Sequence, residues 1–64
     1  MTVEKILTED SKPHHEVRIV NDNGVRKVEM YKENELVAEV TIPNATLEKC
    51  VHEARLWLNS IQML

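Results

Sequence analysis

The stretch EVRIVNDNGVRKVEMYKENELVAEVTI, residues 16–42, decides how this chain folds. Its apolar residues recur with period two. Val17 and Ile19 flank Arg18, Val28 and Met30 flank Glu29, and Leu36, Ala38, Val40 and Ile42 alternate with Val37, Glu39 and Thr41. Successive side chains of an extended chain point to opposite faces, so this pattern predicts half-buried antiparallel strands. Asn23-Gly24 suits a two-residue type I′ turn, because both of its central residues need positive φ. Pairing about that turn sets Ile19 against Val28, Val17 against Met30 and, on the outer face, Arg18 against Glu29, an opposite-charge pair. A four-residue loop, Asn21 to Gly24, keeps the same faces but pairs Arg18 with Lys27, and is the less favoured register.

The second break is Lys32-Glu33-Asn34. A three-residue turn with Asn34 left-handed predicts Met30 opposite Leu36, Val28 opposite Ala38 and Lys27 opposite Glu39. A two-residue Glu33-Asn34 turn would instead bring Glu39 opposite Val28 and spoil the inner face, so the longer turn is preferred. Pro43 ends the third strand, having no amide hydrogen to give the ladder.

Beyond Pro43 the period changes. Leu47, Cys50, Val51, Ala54, Trp57, Leu58 and Ile61 recur at helical steps and form a stripe about 120° wide. The pattern predicts a helix over 44–62, capped by Asn44 or Thr46. Its stripe covers the inner face of the sheet, giving an α+β domain in two layers: an antiparallel three-stranded meander packed on one C-terminal helix. Residues 1–15 form an N-terminal segment and loop. Val3, Ile6 and Leu7 fit a helical turn there, while Val3, Lys5 and Leu7 alternate as a short fourth strand would; the strand is preferred. "TEDSKPHH", residues 8–15, reads as a polar connection broken by Pro13.

A chain of 64 residues makes one domain, and so small a domain buries only about 60% of its unfolded surface. Disulfides, a metal or oligomerisation commonly offset that deficit. Cys50 is the single cysteine, so no intrachain disulfide forms. The net charge is −3, with both signs interleaved and no block of like charge. That disfavours both a nucleic-acid footprint and an acidic mimic of one. No apolar run is long enough to span a membrane, and "MTVEKILTED" lacks the features of a signal peptide. With one thiol, a reducing, cytoplasmic setting is expected.

No residue group carries a convincing chemistry. His14 and His15 are adjacent at a strand entrance and point apart, so they cannot easily grip one ion; they are expected to be solvent-exposed. Cys50 and His52 are separated by about 160° around the helix, and Cys50 falls on the core stripe. Ser11 and Ser60 sit in no strand–turn–helix elbow. Glu29 and Glu39 share the outer sheet face, each with a basic residue expected across the strand. Gly24 is the only glycine, so no phosphate-cradling loop exists. The chain is expected to be no enzyme, to need no cofactor or metal and to take no small-molecule substrate.

Leu56 and Met63 are apolar residues that the core stripe does not hold. With His52 and Asn59 they make a second seam, His52, Leu56, Asn59 and Met63, at 4-3-4 spacing of the kind one helix shows another. Isolated exposed leucines are ordinary, but the stability deficit favours contact. The expected function is a small protein-interaction module, self-associating through this helix face into a homo-oligomer. One concrete form is a phage- or plasmid-type accessory protein that binds a host protein. The alternative is a nucleic-acid-binding module using the outer sheet face. At the level of fold alone, a three-stranded sheet followed by a helix resembles the DNA-binding arm domains of phage-type integrases. Against that, Arg18, Lys27 and Tyr31 share the face with Glu16, Glu29 and Glu39.

Overall fold

The computed structural model describes residues 1–60. Four strands, β1 (Thr2–Glu9), β2 (Lys12–Asp22), β3 (Val25–Lys32) and β4 (Glu35–Ile42), form one antiparallel meander in the order β1-β2-β3-β4. The helix α1 (Leu47–Ser60) follows and packs on one face. The fourth strand is therefore present, at the N-terminus.

The β2–β3 hairpin follows the preferred register. Asn23 and Gly24 have φ of 54° and 86°, and Val17↔Met30, Arg18↔Glu29 and Ile19↔Val28 are the partners. Asn21 Oδ1 accepts a hydrogen bond from the Gly24 amide at 2.8 Å and braces the turn.

The β3–β4 hairpin departs from expectation. Lys32 pairs with Glu35, so the turn has two residues, Glu33 and Asn34, both left-handed at φ 53° and 69°. One irregularity follows at once, because Tyr31 pairs with Leu36 while Met30 pairs with Ala38. Val37 is the extra residue of a β-bulge. The bulge shifts the register by one and restores the faces from Ala38 onward, setting Val28 opposite Val40 instead of Glu39, while Leu36, expected opposite Met30 on the inner face, stands opposite Tyr31 on the outer one. A two-residue turn spoils the inner face only where the ladder is unbroken, and here the bulge breaks it. Glu39 consequently stands opposite Glu29, not Lys27, an unfavourable like-charge pair on the outer face.

The polar connection expected over residues 8–15 is also mostly strand. Glu9 pairs with Lys12 around a tight turn, and β2 already runs through Pro13, His14 and His15. A register shift between Thr8 and Glu9 accommodates Pro13, which has no amide hydrogen for a regular ladder. His15 is thereby carried onto the core face and is buried, at 8% exposure, contrary to the reading of both histidines as solvent-exposed; His14 is exposed.

The core lies between the helix and the first three strands. Leu7, Val17, Ile19, Val28 and Met30 meet Ala45, Cys50, Ala54 and Leu58, with Leu47, Val51 and Trp57 packed around them. Thr46 is the helix cap: its hydroxyl accepts from the Lys49 amide at 3.2 Å and its carbonyl accepts from the Cys50 amide at 3.2 Å. Asn44, the other capping candidate, is instead left-handed at φ 58° and turns the chain from β4 toward the helix. Arg26 ties this corner together. It donates to both carboxylate oxygens of Glu4, Nε to Oε1 at 2.8 Å and Nη2 to Oε2 at 3.3 Å, and from Nη1 to the Ala45 carbonyl at 2.8 Å.

A candidate interaction groove between the helix and the fourth strand

One helix cannot cover this sheet. Four strands spaced about 4.8 Å apart span about 14 Å between the outer pair, whereas a helix is about 10 Å across. α1 packs on β1, β2 and β3, with Leu7 of β1 in the shared core, and leaves β4 largely bare. Every residue of β4 except Ile42 is exposed; on the inner face Val40 is 47% exposed, while Leu36, opposite Tyr31, is turned to the outer face.

The gap is an apolar groove of about 360 Å³. Val28 and Met30 of β3 form its floor, Val40 and Ile42 of β4 one wall, and Leu56 and Trp57 of α1 the other, with Glu53 and Ser60 on the helix rim. The Ser60 hydroxyl donates to the Trp57 carbonyl at 2.7 Å, so it is already satisfied. A small-molecule site of such a size normally brings several polar groups to a point; here the lining is mainly apolar, with the Glu53 carboxylate and the Ser60 hydroxyl at its edge.

The expected seam is placed as follows. Leu56 is 51% exposed and lines the groove beside β4, rather than lying diametrically away from the sheet. His52 and Asn59 are exposed and do not line it. Met63 lies outside the described residues. Alternation puts Val40 and Ile42 on the inner face, and Ile42 does pack half-buried against the core; sequence reasoning missed that Val40 stands open. Only the position of the helix over the sheet leaves it so.

The remaining chemistry-bearing residues are distributed elsewhere. Cys50 is fully buried, and burial pushes its thiol above the ordinary value, against a weaker downward pull from the Arg26 guanidinium. A thiol so placed is a poor nucleophile. On the outer face Arg18 pairs with Glu16 and lies over the Tyr31 ring, 4.3 Å from its centre. Lys27 approaches Asp22 at 3.6 Å, and the Tyr31 hydroxyl donates to Glu29 at 3.1 Å. Burial, followed by that hydrogen bond to Glu29, raises the Tyr31 hydroxyl above its ordinary value. Among the described residues no three His, Cys, Asp or Glu side chains are grouped so as to hold a metal ion, and no helix is long and apolar enough to cross a membrane.

Comparison of the chain with protein-family models, curated proteins and solved structures finds no match.

Proposed function

We propose that this chain is a non-enzymatic protein-interaction module that self-associates through the surface where α1 meets β4. The observation that carries the reading is the bare inner side of β4. Val40, at 47% exposure, and Leu56, at 51%, face a common apolar groove that no segment among the described residues covers. Contiguous exposed apolar surface bordered by polar groups is the usual mark of a contact site. So small a domain also gains most from burying it, because its own core is small. A phage- or plasmid-type accessory protein that binds a host protein is the concrete form kept from the sequence. The competing nucleic-acid reading is disfavoured, since Arg18 and Lys27 of the outer face are each engaged by a carboxylate.

Leu56→Glu tests the proposal. Leu56 is half exposed, so the variant should keep the far-ultraviolet circular dichroism of the wild type. A carboxylate buried in an apolar contact is strongly disfavoured, so its sedimentation mass should fall to that of the monomer. Wild-type protein that sediments as a monomer at high micromolar concentration overturns the proposal.

A further inference from the structure

We infer that Asn23 is a site of spontaneous deamidation, and that the Asn21 side chain holds the reaction back while the β2–β3 hairpin is formed. The inference is independent of the self-association reading.

The chemistry needs only adjacent groups and water. The Gly24 amide gives up its proton, and its nitrogen attacks the side-chain carbonyl carbon of Asn23. A bond forms between Gly24 N and Asn23 Cγ, the Cγ–Nδ2 bond breaks, and the side-chain amide leaves as ammonia. Water then adds to the cyclic imide at either carbonyl and opens it to aspartate or isoaspartate. A Cβ on the attacking residue crowds the ring as it closes, and glycine alone has none. Asn21, Asn34, Asn44 and Asn59 each precede a residue with a Cβ, whereas Asn23 precedes Gly24. Asn23 and Gly24 are both exposed, so water reaches the turn. Nothing lies within 4 Å of where a Gly24 Cβ would stand, so the imide has room.

The same turn restrains the reaction. The Gly24 amide donates to Asn21 Oδ1 at 2.8 Å. A hydrogen bond made by the protonated form disfavours loss of the proton, and the attack needs that loss. Ring closure also requires rotation about the Asn23 Cα–C bond away from the type I′ geometry, and the ladder that begins at Asp22↔Val25 resists it. Unfolding removes both restraints. The two products differ in consequence. Aspartate keeps the main chain and tolerates the left-handed φ of 54°. Isoaspartate routes the main chain through the side-chain carbons and lengthens a two-residue turn. That turn sets the core pairs Ile19↔Val28 and Val17↔Met30, so the isoaspartyl form should unfold at lower urea than the aspartyl form.

The test follows the purified protein in mildly alkaline buffer, folded and in urea. Each conversion adds one negative charge, read by isoelectric focusing, and peptide mass spectrometry places it in the chain. Conversion at residue 23 should be several-fold slower in the folded wild type than in urea. Asn21→Ala should remove most of that difference, while Asn21→Asp, which keeps an acceptor oxygen, should preserve it. Circular dichroism confirms that both variants are folded. Asn23→Gln should show no conversion at that position. Equal rates for folded wild type and folded Asn21→Ala overturn the role of Asn21, as do equal wild-type rates with and without urea. Conversion in urea at other asparagines but not at residue 23 overturns the site itself.

Discussion

Trp57 of α1 stands edge-on to the imidazole of His15 on β2, their ring centres 6.0 Å apart and their planes at 61°. The only tryptophan thus touches the core on one side and lines the β4 groove on the other. Edge-to-face pairs of this kind add about 0.5–1.5 kcal/mol beyond area burial. Trp57→Ala should therefore cost about 3 kcal/mol, the low end for truncating a buried aromatic because Trp57 is only partly covered. Urea unfolding checks the figure. Native fluorescence with a fully solvent-like maximum would contradict the packing.

His15 carries a second expectation. Its Nδ1 is buried and has no hydrogen-bond partner among the described residues. Leaving such a group unsatisfied costs about 1–3 kcal/mol. His15→Leu removes that penalty and loses the smaller ring contact with Trp57. The melting temperature should rise, and calorimetry of the variant reads the sign directly.

The two turns should respond in opposite directions. At Gly24, φ is +86° and nothing lies within 4 Å of an added Cβ, so Gly24→Val meets only the backbone penalty of a left-handed, β-branched residue. That amounts to about 1–2 kcal/mol. Glu33 already bears such a penalty at φ 53°. Glu33→Asn with Asn34→Gly gives the second turn the residues a type I′ hairpin prefers and should raise the urea midpoint. A drop on the double substitution would restore the three-residue turn.

Alkaline pH should destabilise the fold through Cys50. Burial raises its thiol above the unfolded value, so the folded protein holds the proton longer than the unfolded chain does. The stabilisation is fully present below the ordinary thiol value of about 8.5 and falls as pH rises through it. Tyr31, raised mainly by burial, adds a loss of the same sign above about pH 10. Urea midpoints for the wild type should hold from pH 7 to 8 and fall by pH 9.5, while Cys50→Ala should flatten the 8–9.5 limb. Thiol-reactive dye should label native Cys50 only at the rate of local or global opening.

The sequence by itself determined the class of fold. Period two over Glu16 to Ile42, Asn23-Gly24 at the first turn and the helical stripe Cys50, Ala54 and Leu58 each act within a few residues, where backbone sterics and side-chain direction suffice. Tertiary structure decided what those local rules leave open. The Val37 bulge lets a two-residue turn coexist with Val28 opposite Val40, and a bulge exists only when two strands are compared. His15 became a core residue because β2 runs back past Glu16 and pairs His15 with Lys32 of β3, a contact that "TEDSKPHH" alone does not announce. The candidate groove is the clearest case. Alternation places Val40 on the inner face, but whether that face is covered depends on where one helix lies over four strands, and it lies over β1 to β3. Burial is a property of the whole packing, so a pattern that fixes the direction of a side chain cannot fix what stands in front of it.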